Sequence, residues 1–159
     1  GELARQGVRV RIMGERTHFS PEVISMIERI ESTTAEGDKL TLVLAFNYSA
    51  RREMVLAAQT LAKRVAEGEI KAEDISEEHF SAALMTADIP DPDFIIRTSG
   101  ECRLSNFLLW QCAYTEFYFC DTYWPYFGAD DLQLAIDYFN RKERRFGKTS
   151  EQVVAQTIS

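Results

Sequence analysis

Two arginines, a glycine, a glutamate and a serine fall within nine positions in RTSGECRLS, residues 97–105. Guanidinium groups keep their charge and present a planar fork that grips two oxygens at once. The small residues between Arg97 and Arg103 let backbone N–H groups approach a ligand closely. Ser105 adds a hydroxyl, and Glu101 and Glu116 are carboxylates nearby in sequence. This set suits a phosphate or diphosphate, and a diphosphate commonly travels with Mg²⁺, which takes one or two carboxylates plus waters. The same residues also suit an internal salt-bridge cluster, with Arg97 and Arg103 paired to Glu101 and Glu116 and with Ser105 as a helix cap. The residues alone leave both arrangements open.

Something must hold these groups in place. VRVRIMG, residues 8–14, alternates apolar and basic residues and predicts a strand ending in a glycine turn. Ser20-Pro21 is an N-cap followed by a first-turn proline. It opens an amphipathic helix over 21–35, with Val23, Met26, Ile27 and Ile30 inward. KLTLVLAFNY, residues 39–48, is a nearly continuous apolar run, as expected of a parallel strand buried on both faces. A helix over 51–67 turns Val55, Leu56, Leu61, Ala62 and Val65 inward, and a shorter one over 76–85 starts at SEEH. DFIIRT and EFYFC predict two more strands, with a helix over 105–113 between them. ADDLQLAIDYFNRKERR closes the series as a helix with Leu132, Ile136 and Phe139 inward and a basic last turn. Strands alternating with helices predict an α/β fold around a mostly parallel sheet, in which ligands gather after the carboxyl ends of strands. RTSGECR follows one such strand and NYSAR, residues 47–51, follows another.

The bulk numbers narrow the class. A chain of 159 residues, 45% hydrophobic, is sized for one globular domain. A net charge of −7 argues against a nucleic-acid partner. Cys102, Cys112 and Cys120 match no zinc spacing and fit a reducing, cytoplasmic setting. His18 and His79 have no partner at triad or metal spacing, and no glycine-rich nucleotide fingerprint occurs. Arg51 and Arg52 read as a solvated helix start. The aromatics in NFLLWQCAYTEFYF and DTYWPYFG fit a core plus a dimer face, or the wall of a site for a long apolar ligand.

RTSGECRLSNFLLWQCAYTEFYF, then WPYF, then FNRKERRFG resembles the C-terminal half of the cis-prenyltransferase family, and VRVRIMG and LTLVLAFNYSARREMV resemble earlier portions of it. The resemblance implies an enzyme that condenses isopentenyl diphosphate onto farnesyl diphosphate. The product would be a long polyprenyl diphosphate, precursor of a cell-wall lipid carrier, made by a Mg²⁺-dependent homodimer. It implies that Arg97, Arg103 and Ser105 hold the diphosphate of isopentenyl diphosphate and that Glu116 helps hold magnesium near the partner subunit's site. Arg145 and Gly147 in RFG match a C-terminal motif that reaches the neighbouring active site. Asn47 and Arg51 match an NYGGR element whose glycines are here Ser49 and Ala50, and Leu40 falls at the far end of a product tunnel. The family's N-terminal part, with its catalytic aspartate, a phosphate loop and a Ser-x-Asn-Trp loop, has no counterpart among these residues. On that basis no catalytic residue is assigned. Residues 1–147 are read as the C-terminal part of a single domain, incomplete and inactive alone, with 148–159 as a flexible tail. The alternative is a non-catalytic accessory subunit of a heteromeric enzyme. The lipid product implies membrane proximity for a protein that is otherwise cytoplasmic.

Overall fold

The computed structural model describes residues 1–142, and these divide into two compact units. The first comprises Gly1–Pro90 with Asn106–Leu108; the second comprises Asp91–Ser105 and the chain from Leu109 onward.

In the first unit a short helix, α1 (Glu2–Arg5), leads into β1 (Val8–Met13), helix α2 (Pro21–Thr34), β2 (Leu40–Ala45), α3 (Ala50–Ala66) and the brief α4 (Glu77–Ser81). β1 and β2 run parallel from Val8 opposite Leu40 to Met13 opposite Ala45. Ser20 caps α2 by accepting the Val23 N–H, with Pro21 in the first turn, as the sequence predicts. The helix packs on β1 with its Ile27 buried, and its buried Thr34 hydroxyl accepts the Val10 N–H at 3.0 Å. Val8, Val10 and Met13 of β1 and Ala50, Ala57 and Leu61 of α3 are buried. Gly14 follows β1 with φ 132°, where a Cβ would overlap the Phe46 carbonyl oxygen, so the turn admits only glycine.

In the second unit β3 (Phe94–Arg97) and β4 (Glu116–Phe119) form another parallel pair, Phe94 opposite Glu116. Helix α5 (Ala129–Asn140) packs on β4. Aromatic rings fill the space: Phe94 lies 4.9 Å from Phe139 and Tyr118 lies 5.2 Å from Tyr138.

The α/β class with parallel strands matches the expectation, but the strands form two two-stranded sheets. Several burial expectations fail. β2 is exposed along most of its length, because α1 and α2 pack on β1 and leave Leu40, Leu42 and Leu44 uncovered. Val23 and Met26 of α2 are exposed, as are Val55 and Ala62 of α3 and Leu132 and Ile136 of α5. The inner line of α3 runs instead through Ala50, Glu53, Ala57 and Leu61, one turn apart. The helix expected over 76–85 stops at Ser81, where the chain passes into turns. No helix forms over 105–113: Ser105, Asn106 and Leu108 take positive φ (51°, 64° and 47°), which a right-handed helix cannot include. Among the described residues no helix is long and apolar enough to cross a membrane.

Candidate functional site

Arg97 is the last residue of β3, half-buried, and its Nε is fully buried with no hydrogen-bond partner among the described residues. Its backbone is fixed by the ladder, since the Cys120 N–H donates to the Arg97 carbonyl at 3.0 Å. The chain then turns through Ser99 and Gly100, both at positive φ (68° and 69°). Both amides are already used: Ser99 N–H donates to the Thr122 carbonyl and Gly100 N–H to the Cys120 carbonyl, each at 3.0 Å. The expectation that backbone amides in TSGE face a ligand is therefore corrected for these two. They extend the pairing to the chain after β4.

Arg103 pairs with Glu101, on an exposed part of the turn. One arm of the internal salt-bridge arrangement is thus present. The other is not: among the described residues neither Arg97 nor Glu116 takes part in an ion pair. Glu116 opens β4, half-buried, its N–H donating to the Asp93 carbonyl at 3.1 Å. Ser105 is exposed and caps nothing, because no helix follows it. Among the described residues no three His, Cys, Asp or Glu side chains converge as metal ligands. Glu116 is a lone carboxylate, and Glu101 is held by Arg103. The described residues by themselves make no self-sufficient magnesium site. Arg145 and Gly147 lie outside the described residues.

The other candidates belong to the first unit. Asn47 sits at φ 50° after β2, and its Nδ2 donates to the Glu15 carbonyl at 2.8 Å, a turn-locking bond. Arg51 lies in the first turn of α3 with an exposed side chain. Leu40, the first residue of β2, is also exposed. Ser49 is extended (φ −147°) and Ala50 is buried, so neither position needs a glycine backbone here.

Two residues stand out that sequence reasoning missed. Asn106 meets the start of α3: its carbonyl accepts the Ala50 N–H, its Oδ1 accepts the Arg51 N–H, both at 2.9 Å, and its Nδ2 donates to Ser49 Oγ at 2.7 Å. Glu53 is buried, accepting the Tyr48 hydroxyl at 2.5 Å and the Met85 N–H at 2.8 Å. A carboxylate on the apolar stripe of a helix was the available signal for Glu53. Asn106 gave none, since its partners lie more than fifty positions away.

Comparison with known proteins agrees with the resemblance. A family model described as "Putative undecaprenyl diphosphate synthase" matches residues 1–147. An isoprenyl transferase of Agrobacterium fabrum is 50% identical over 152 residues, covering 96% of this chain and 62% of that protein. A ditrans,polycis-undecaprenyl-diphosphate synthase, (2E,6E)-farnesyl-diphosphate specific, of Pseudomonas aeruginosa is 46% identical over 155 residues, covering 98% and 62%. Among solved structures, lavandulyl diphosphate synthase from Lavandula x intermedia, in complex with dimethylallyl diphosphate, superposes with a TM-score of 0.88 at 34% identity. That match covers 92% of this chain and 64% of the other. A probable undecaprenyl diphosphate synthase from Campylobacter jejuni gives 0.78 at 35%, covering 91% and 65%. The chain thus spans about three-fifths of the length of these curated relatives. From its strand ends to its family match, the chain belongs to the undecaprenyl diphosphate synthase family of prenyltransferases.

Proposed function

We propose that this chain carries the isopentenyl-diphosphate-binding part of a cis-prenyltransferase that extends farnesyl diphosphate into a long polyprenyl diphosphate. The observation that carries the reading is Arg97: a permanent cation at a parallel strand's carboxyl end, its buried Nε without a partner. Charged groups left in that state cost stability, so they persist where a ligand completes them. Arg103, six residues on and exposed, supplies a second guanidinium once it exchanges Glu101 for a diphosphate, and Ser105 supplies a hydroxyl. Arg97, Arg103 and Ser105 bind and orient the homoallylic diphosphate, so its double bond lies ready to attack the allylic carbon as the allylic diphosphate departs and a proton is lost. The contribution of these residues is largely proximity and pre-placed charge. Glu116 is the carboxylate this chain would bring to an accompanying Mg²⁺ ion. The same reading includes a homodimer, Arg145 and Gly147 in a neighbouring site, and a cytoplasmic protein working beside the membrane that takes up its lipid product.

Calorimetric titration with isopentenyl diphosphate tests the assignment. Arg103→Ala weakens binding by about tenfold, the lower end for a charged hydrogen bond. In a catalytically active form it raises KM for isopentenyl diphosphate and leaves farnesyl diphosphate binding as it was. The opposite pattern, with only farnesyl diphosphate binding weakened, overturns the assignment.

A further inference from the structure

We propose that Thr122 is a positioning residue, latched to Asp131, that sets the turn between Arg97 and Arg103. Its hydroxyl ties the chain leaving β4 to the first turn of α5, and its carbonyl holds the turn that carries Arg103. All of these residues belong to the second unit. The inference rests on the diphosphate reading above.

Helix α5 is a firm anchor. Near its end, Phe139 lies 4.9 Å from Phe94 of β3 and Tyr138 lies 5.2 Å from Tyr118 of β4. Every helix start leaves amide hydrogens without intrahelical acceptors. At α5, Asp131 Oδ2 reaches back to accept the Gly128 N–H at 2.9 Å, as the third helical residue does in a capping box. Its other oxygen, Oδ1, accepts the Thr122 hydroxyl, also at 2.9 Å. The Gly128 N–H and then the Thr122 hydroxyl hold the Asp131 carboxyl below the ordinary value of 3.8, so it remains an ionised acceptor. One carboxylate thereby caps the helix and grips the incoming chain.

The Thr122 carbonyl then accepts the Ser99 N–H at 3.0 Å. Ser99 stands at φ 68°, a left-handed backbone that residues with a side chain keep only where their surroundings hold them. Past Gly100 the turn's own ties are local: Glu101 meets Arg103, and the Cys102 thiol donates to the Gly100 carbonyl at 3.9 Å. The Ser99 and Gly100 bonds are, among the described residues, the last that tie this turn to the strand pair. Arg97 is set by the ladder, whereas the path to Arg103 is set by how the chain leaves Ser99. Thr122 therefore places the second guanidinium through bonds that no ligand has to form. Without the latch, diphosphate binding must order the turn itself, and affinity falls by that cost.

The test uses the 159-residue chain with two measurements, amide hydrogen exchange and calorimetric titration with isopentenyl diphosphate, at a temperature where every variant is folded. Thr122→Val keeps the side-chain shape and the carbonyl and removes the hydroxyl. It is expected to speed exchange of the Ser99 amide about tenfold and to weaken isopentenyl diphosphate binding about fivefold, the worth of one hydrogen bond. Thr122→Ser keeps a hydroxyl and is expected to return both readings close to wild type. In an Arg103→Ala background, Thr122→Val is expected to weaken binding by less than about twofold more, because the group it places is gone. A full fivefold loss in that background, about as large as in wild type, overturns the route through Arg103. Faster exchange with unchanged affinity overturns the positioning role and leaves only a tie to α5. Unchanged exchange overturns the latch itself. Should Thr122→Val fail to fold, Asp131→Asn weakens the same bond from the other side and is read the same way, with a smaller change. If the wild-type chain does not bind isopentenyl diphosphate and Arg103→Ala changes nothing, the diphosphate reading is what has failed, and the positioning role falls with it.

Discussion

Two arginine clusters sit beside two parallel strand pairs, and the fold treats them in opposite ways. Just after β1, Arg16 Nη2 meets both oxygens of Glu31 at 3.0 and 2.8 Å, and Glu31 also accepts the Ile12 N–H of β1 at 2.9 Å. Arg11 meets Asp88 at 2.7 Å. These carboxylates come from distant segments, so the tertiary fold itself supplies the counter-charge. At the end of β3, among the described residues, Arg103 has only its sequence neighbour Glu101, and the Arg97 Nε has no hydrogen-bond partner. Residue type is the same in both places. On the proposed reading, what separates a structural arginine from a ligand-binding one is whether the fold brings an acid to it.

The largest expected effect comes from removing the unpaired cation. Arg97→Met keeps most of the stem's volume and deletes the guanidinium. Isopentenyl diphosphate affinity should fall about 10- to 150-fold, the range for a charged hydrogen bond worth about 1.5–3 kcal/mol. Urea unfolding of the ligand-free chain should show stability held, or raised by about 1 kcal/mol, because an orphaned buried donor has been removed. A clear loss of stability would show that Arg97 is structural after all and would collapse the contrast.

Glu31→Gln should do the reverse at smaller size. It weakens the Arg16 pair and one of the two acceptor sites, costing about 1–2 kcal/mol in urea unfolding while leaving diphosphate binding untouched. The same group predicts a pH response. Burial pushes the Glu31 carboxyl up, but the Ile12 N–H and the Arg16 guanidinium outweigh it and hold it below the ordinary value of 4.5. A carboxyl whose folded pKa lies below its unfolded one contributes fully above the unfolded value. That contribution is lost as pH falls through the folded value. Between about pH 6 and pH 3 the wild-type urea midpoint should therefore drop further than that of Glu31→Gln. Parallel curves would show that Glu31 contributes nothing.

Much of this was legible in the sequence, and the exceptions share a cause. All four strands were readable from local patterns, β1 from its apolar–basic alternation and the others from short apolar runs, and the starts of α2 and α4 from Ser20 and Ser76, since these signals are local. Arg97 and Arg103 could be singled out by type and spacing, but their different pairing could not. Pairing depends on where Glu101 and Glu116 point. The run over 40–45 shows a demand for burial without saying what covers it, and here β2 stays exposed. NFLLWQ looks helical by composition, whereas its start is set by left-handed residues at 105, 106 and 108. The bonds that hold Asn106 there reach back to 49–51, which no local pattern could reveal.

The smallest stability effect offers the sharpest test of the contrast. Arg11 and Asp88 form an exposed pair, their side chains 33% and 68% accessible, and Asp88→Asn should cost only about 0.2–0.5 kcal/mol. The pair lines a groove of about 590 Å³ that also holds Arg9, Arg16 and Glu31. Removing the Asp88 charge leaves three guanidiniums there against one carboxylate. If counter-charge alone separates the two clusters, Asp88→Asn should give this groove an affinity for inorganic diphosphate that wild type lacks. The expected strength is about millimolar, the scale of a few exposed charged contacts. Titration in an Arg97→Met, Arg103→Ala background isolates the new site. Binding there that vanishes with added salt, as exposed charge pairing must, supports the rule. With no binding gained, missing counter-charge alone does not make a diphosphate site, and the proposed role of Arg97 and Arg103 rests on the shape of the turn after β3 as well.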